Sequence, residues 1–97
     1  MKKLHNTDNA FLVIEIINQE KKVVPFFSSN SASIEYHRCV NKIKLLGQSL
    51  SSQKLAVYFV PLVVNNNISM VEFVKNVEDN IEQYIKRPLI SYIFKGN

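Results

Sequence analysis

The stretch Leu55-Ala56-Val57-Tyr58-Phe59-Val60-Pro61-Leu62-Val63-Val64 carries no charge, and its only polar side-chain group is the tyrosine hydroxyl. An unbroken apolar run of this length, rich in β-branched and aromatic residues, is typical of a strand that is buried on both faces. Three asparagines follow it and form a turn signal. The clearest helix of the chain comes next, so this stretch predicts the framework of an α/β domain.

The helix that follows the turn has a well-defined start. Ser69 and Glu72 have the spacing of a capping box, and Ile68 with Phe73 has the spacing of a hydrophobic staple. We expect one helix to run from residue 70 to residue 87, where Pro88 ends it, and residues 89–94 to form the last strand. Its apolar side chains recur at helical spacing and predict a single buried face: Met70, Phe73, Val74, Val77, Ile81, Tyr84 and Ile85.

Two further strands and another helix precede the central stretch. Residues 11–17 and 23–27 are predicted strands, and the five polar residues between them fit an antiparallel hairpin. Pro25 cannot donate a hydrogen bond, so it places part of the second strand at an edge or a bulge. Residues 32–46 are a predicted helix that Gly47 ends. Its predicted core face consists of Tyr36, Cys39, Val40, Ile43, Leu46 and Leu50.

These elements predict a ββαβαβ order: an N-terminal hairpin and two crossover helices packed on a four-stranded mixed sheet. Residues 1–9 are expected to be a flexible terminus, and residues 10–97 to form a single α/β domain. The connection lengths favour right-handed crossovers with strands two, three and four parallel. Two arrangements stay open. Either both helices cover one face and a second copy covers the other, or the helices cover both faces of a monomer.

The composition of the chain limits the classes of function and the compartment that we expect for it. The chain of 97 residues has twelve Lys and Arg against eight Asp and Glu, a net charge of +4. All of the excess lies in residues 1–54, which indicates a mild attraction to polyanions. A single cysteine, Cys39, excludes an intramolecular disulfide, and the expected compartment is the cytoplasm. No apolar run approaches the length of a membrane span.

No residue pattern predicts an enzyme, a metal site or a cofactor. His37 and Cys39 lie two positions apart on a helix and therefore point about 200° away from each other, so they cannot form a catalytic dyad. Cys39 is expected to be an inert core residue. Glu15 is expected at an edge facing water. The polar loops of residues 28–31 and 65–67 lack the glycines of a phosphate-binding loop.

The predicted function is binding of another protein, as an inhibitor, an antitoxin-like protein or an adaptor would do, with a homodimer as one form of that binding. Ile34 and Leu45 project from the first helix opposite its core face. An apolar and basic surface of this kind is how a helix presents a partner-binding face. The predicted partner-binding residues are Ile34, His37, Arg38, Asn41, Lys42 and Leu45.

The alternative is weak nucleic-acid binding without sequence preference. The basic residues that would contact phosphates are Lys21, Lys22, Arg38, Lys42, Lys44 and Lys54. Phe26 or Phe27 would then stack on bases. The modest charge and the two arginines of the chain weigh against this interpretation.

Overall fold

The computed structural model describes residues 8–49, 54–64 and 69–94. It confirms the α/β class: helices pack on a four-stranded sheet in which all neighbouring strands are antiparallel, in the order β2-β1-β3-β4. The described residues form a small compact domain. In chain order its elements are β1 (Asp8–Ile17), β2 (Glu20–Phe26), α1 (Ser29–Ser49), β3 (Leu55–Val64), α2 (Met70–Asp79), α3 (Ile81–Tyr84) and β4 (Ile90–Phe94).

The predicted mixed sheet, with its ββαβαβ order and two crossover helices, is not what the structure shows. A third helix, α3, follows α2. β2 and β3 run in the same direction because both are antiparallel to β1, but β1 lies between them. β4 pairs with β3 as an antiparallel neighbour. A connection long enough to hold a helix permits either strand direction, so its length did not determine the pairing.

The helices cover both faces of the sheet. Side chains of β1 alternate between two apolar clusters, with Leu12 and Ile14 in one and Val13 in the other. The first cluster includes Phe73 and Val77 of α2 and Ile81 of α3. The second contains Tyr36, Cys39, Val40 and Ile43 of α1. Of the two predicted arrangements, the one with a helix on each face is therefore the one observed.

The β1–β2 hairpin is tighter than the sequence predicts. β2 begins at Glu20, so the connection is the two-residue turn Asn18–Gln19 rather than a five-residue loop. Asn18 has a φ of 61°, and asparagine tolerates this left-handed conformation better than most residues. Lys21 and Lys22 consequently belong to a strand. Pro25 lies on this outer strand of the sheet, as predicted.

The first helix is longer at both ends than the predicted range of residues 32–46. α1 extends from Ser29 to Ser49 and passes through Gly47, which therefore does not end it. The Ser28 hydroxyl oxygen accepts the backbone N–H of Ser31 at 3.3 Å, at the start of this helix. Leu50, which was placed on its core face, lies outside the described residues.

The helix after β3 begins as predicted but is interrupted. Ser69 Oγ accepts the backbone N–H of Glu72 at 3.2 Å. α2 then stops at Asp79, because Asn80 leaves the helical conformation with a φ of −126° and its side-chain amide donates to the Asn76 carbonyl at 2.9 Å. Ile68 and residues 65–67 lie outside the described part of the chain. So do residues 1–7 of the predicted flexible terminus, whose last two residues, 8 and 9, belong to β1.

Candidate functional site

The outward face of α1 presents two large apolar side chains. Ile34 is 65% exposed and Leu45 is 68% exposed. Arg38 and Asn41 lie between them and are exposed as well. We call these four residues the α1 stripe. The opposite side of the helix is packed on the sheet through its second cluster, so the stripe is the side that faces away from the core.

Arg38 is held by a neighbour on the same helix. Its Nε and Nη2 donate to the two carboxylate oxygens of Glu35 at 2.8 and 2.6 Å. This hydrogen bonding lowers the pKa of the Glu35 carboxyl below its usual value, although partial burial opposes the change. The same pair raises the pKa of Arg38. The two hydrogen bonds thus fix the orientation of the guanidinium, and the Arg38 side chain remains more than half exposed.

Lys42, a predicted partner-binding residue, reaches toward the sheet instead of the stripe. Its Nζ lies 3.3 Å from Oε1 of Glu15. The prediction that Glu15 lies at an edge facing water is wrong: β1 is a central strand, and Glu15 is 5% exposed on it. Among the described residues its second oxygen, Oε2, has no hydrogen-bond partner. Lys42 therefore has a structural task, which is to neutralise a buried carboxylate.

Cys39 lies between two carboxylates under the helix. It is 3% exposed, and its thiol donates to Oε2 of Glu35 at 3.6 Å. Burial, together with the nearby charges of Glu15 and Glu35, raises the pKa of the thiol to about 12. The thiolate is the nucleophilic form of cysteine, so this environment suppresses reactivity. The expectation that Cys39 is a core residue agrees with its burial.

We expect Cys39 to resist alkylation in the folded protein. Iodoacetamide at about pH 8 should give no measurable labelling in an hour, because the thiol is both buried and protonated. The same reagent in denaturant should label the chain completely, which mass spectrometry would show. Rapid labelling without denaturant would mean that α1 opens readily from the sheet.

The other flank of the α1 stripe faces β4. The Lys44 ammonium lies 5.5 Å from the centre of the Tyr92 ring, within the range of a cation–π contact. The exposed His37 ring meets Tyr36 edge-on at 5.5 Å between ring centres. His37 and Cys39 thus lie on different sides of the helix, as their spacing predicts. Both flanking residues remain exposed at the surface.

Part of the predicted basic surface is brought together. Lys21, Lys22 and Lys42 line a polar pocket of about 220 Å³ with Glu15 and Glu20. The two carboxylates offset part of the lysine charge there. Phe26 and Phe27 pack against the second and the first cluster respectively, so the aromatic rings proposed to stack on bases are used in the core. Sequence periodicity did not reveal this pocket, because it depends on the pairing of β1 with β2.

An open apolar groove lies between β2 and α2. It has a volume of about 590 Å³, and Pro25, Met70, Val71 and Val74 line it together with charged residues of α2. Glu78 and Asp79, two of these charged residues, are exposed, and so is Glu82 of α3. Among residues 8–49, 54–64 and 69–94, no group of three or more His, Cys, Asp or Glu side chains has a geometry that would hold a metal ion.

The helices of the described ranges include none with the length and apolar character needed to cross a membrane. Comparison with protein-family models, with curated proteins and with solved structures finds no match for this chain.

Proposed function

We propose that the protein is a non-enzymatic binding module of the cytoplasm that recognises another protein through the α1 stripe. The observation that carries this proposal is the exposure of Ile34 and Leu45, at 65% and 68%, on a helix whose other side is packed. Single exposed apolar residues are common on protein surfaces. Two on one helix face, with an oriented arginine between them, make a more specific surface.

The dimensions of the α1 stripe suit a protein partner. At 1.5 Å per residue, Ile34 and Leu45 lie about 16 Å apart along the helix, with Arg38 and Asn41 at the i+4 and i+7 positions between them, where a helix that binds in a groove contacts its partner. Arg38 is one of the residue types that contribute most to protein interfaces, and its contact with Glu35 reduces the entropy that binding would cost. An inhibitor, an antitoxin-like protein or an adaptor would use such a face.

The flanks of the stripe indicate the chemistry of the partner. Lys44 lies on one side of the stripe and Lys42 on the other. Lys42 is paired with Glu15 and Arg38 with Glu35, so Lys44, which has no carboxylate partner among the described residues, provides most of the positive character. We expect the partner surface to be an apolar groove with acidic residues at its rim, because charge complementarity favours association and excludes basic surfaces.

Replacing Ile34 and Leu45 together with glutamate should abolish partner capture and leave the fold intact. Substitutions at exposed positions usually change stability by less than about 0.5 kcal/mol. The measurement is affinity capture from the native lysate, with bound proteins quantified by mass spectrometry, alongside far-UV circular dichroism and a thermal melt. A specific partner should fall at least about tenfold, since two apolar anchors are lost.

Val71→Glu is the matched control, because Val71 is 67% exposed on α2, away from the stripe. It should retain every protein that the wild type captures. A stripe variant that keeps the same partner would contradict the proposal. So would a stripe variant that unfolds, since Ile34 and Leu45 would then be supporting the core.

Nucleic-acid binding is the second candidate, and the grouping of Lys21, Lys22 and Lys42 around one pocket favours it. The proposal requires retention on a heparin column that falls steeply with salt. Replacing Lys21 and Lys22 with alanine should reduce that retention, while the double glutamate variant at Ile34 and Leu45 should change it less. Absence of retention at moderate ionic strength would remove this candidate.

A further inference from the structure

The two outer strands of the sheet differ in how they are protected. β2 carries Glu20, Lys21, Lys22 and Pro25, and charges and proline discourage another strand from pairing with an edge. β4, with the sequence Ile90-Ser91-Tyr92-Ile93-Phe94, carries no charge. Apolar side chains at this edge are exposed to solvent: Leu89, just before the strand, is 70% exposed, and Ile90 and Ile93 within it are 47% and 52% exposed. The unprotected edge of the sheet is therefore β4.

The direction of the backbone groups on β4 follows from the neighbouring strands. The Asn18 N–H donates to the Lys54 carbonyl at 2.7 Å, in line with the β1–β3 register. Backbone groups alternate sides along a strand, so Ala56 and Tyr58 turn to β1 while Val57 and Phe59 turn to β4. The bond from the Leu89 N–H to the Phe59 carbonyl, at 2.8 Å, agrees with this assignment.

The strand pairing then assigns the outward groups. Tyr92 is opposite Val57 and Ile90 is opposite Phe59, so the backbone groups of Ile90 and Tyr92 turn toward β3. The N–H and C=O groups of Ser91 and Ile93 turn outward. These two residues are placed symmetrically about Tyr92, which is the midpoint of the strand.

We propose that β4 pairs with β4 of a second copy of this chain, antiparallel and centred on Tyr92. Ser91 of each copy would then exchange backbone hydrogen bonds with Ile93 of the other, and the two Tyr92 residues would face each other as a pair without hydrogen bonds between them. The occupant is a second copy because the outward groups are complementary to themselves under a twofold rotation. Such an interface closes after two chains.

Charge supports the same choice. The residues of β4 carry no charge themselves, and the Lys44 ammonium near them lies over the Tyr92 ring of its own chain. A β2–β2 contact would bring Lys21 and Lys22 of the two copies together. It would also have one hydrogen-bond donor fewer on each strand, because Pro25 has no backbone N–H. An antiparallel edge contact has its twofold axis perpendicular to the sheet. Both α1 helices therefore lie on the same face of the resulting eight-stranded sheet, which would make the proposed α1 stripe bivalent.

Cysteine cross-linking tests both the contact and its register. In a pair without hydrogen bonds the two Cα atoms lie about 4.5 Å apart, which a disulfide can bridge. Tyr92→Cys should therefore form a disulfide-linked dimer under mild oxidation. Ser91→Cys should not, because the two residues at this position lie more than about 7 Å apart across the axis. The wild type, with only the buried Cys39, is the background control.

Proline substitution tests the hydrogen bonds in solution. Ser91→Pro removes an outward N–H and leaves the hydrogen bonds to β3 in place. The dissociation constant of the dimer should therefore rise about 30-fold. Lys21→Pro is the matched control, because its N–H also turns outward, on β2, and the dimer should persist. Light scattering and sedimentation equilibrium over a range of protein concentrations measure the mass.

A wild type that stays monomeric at millimolar concentration would overturn the proposal. A dimer that Lys21→Pro disrupts and Ser91→Pro spares would do the same. If Ser91→Pro unfolds, the cross-linking pair decides: equal dimer yields from Tyr92→Cys and Ser91→Cys refute the centred register. Partner capture by the stripe is scored separately, since Ile34 and Leu45 do not belong to this edge.

Discussion

Lys42→Met is expected to lower the free energy of unfolding by about 2 kcal/mol, whereas Glu15→Leu is expected to raise it by about 1 kcal/mol. The opposite signs follow from the unequal burial of the two partners. The Glu15 side chain is 6% exposed and the Lys42 side chain 43% exposed. Removing Lys42 leaves a buried carboxylate without its cation. Removing Glu15 leaves a lysine that water solvates freely.

The environment of Glu15 favours an apolar replacement. Val13 and Ile17 share its face of β1, and Val57 lies opposite it on β3. One of its carboxylate oxygens already lacks a hydrogen-bond partner among the described residues, and leaving such a group buried has a cost. A leucine would remove that cost and add apolar contact. Because Lys42 is partly hydrated, we place the loss below the range typical of fully buried pairs.

Urea unfolding at neutral pH measures both changes, and the slope with denaturant should not change. Lys44→Met is the control on the same helix, and it should cost less than about 1 kcal/mol because its contact is with the Tyr92 ring. Adding Lys42→Met to Glu15→Leu should have almost no further effect. A Glu15→Leu variant that is less stable than wild type would contradict the account and mark the carboxylate as a group that the fold requires.

Glu15 also shows where sequence reasoning stopped. Alternation correctly places it on the face shared with Val13 and Ile17, but it does not say which strands lie beside β1. The structure pairs β1 with β2 on one side and with β3 on the other, so a residue expected at an edge is central. The contact with Lys42 joins positions 27 apart in the chain, and no local pattern predicts it.

Features that depend on local chemistry were predicted well. The central strand has the predicted bounds, Leu55 to Val64, and Ser69 caps α2. The amphipathic pattern of α1 correctly separates its buried side from the exposed α1 stripe. The sequence predicts one helix across residues 70–87 and not the break at Asn80, because the apolar residues of its buried face, such as Val77 and Ile81, keep helical spacing on both sides of that break. The spacing of apolar residues predicts which face is buried, but it does not predict whether the backbone between those residues stays helical.

Gly47 is a second residue whose role the sequence did not disclose. It was expected to end α1, yet the helix continues to Ser49. A Cβ atom at this position would overlap the ring of Phe94, with the Cδ1 atom of that ring 2.7 Å away. Glycine at this position therefore leaves the space in which the Phe94 ring of β4 packs. Glycine inside a helix is less favourable than alanine by about 1 kcal/mol, so this packing has a cost in helix propensity.

Gly47→Val is expected to lower the free energy of unfolding by about 2–3 kcal/mol, because its side chain must displace the Phe94 ring from a packed position. Gly47→Ala should be close to neutral, since the gain in helix propensity offsets a smaller displacement. Phe94→Ala supplies the control background. Without the ring, Gly47→Ala should stabilise the protein by about 1 kcal/mol and Gly47→Val should lose most of its penalty. Equal effects of Gly47→Val in both backgrounds would show that the ring is not the cause, and the close packing of α1 on β4 would need another explanation.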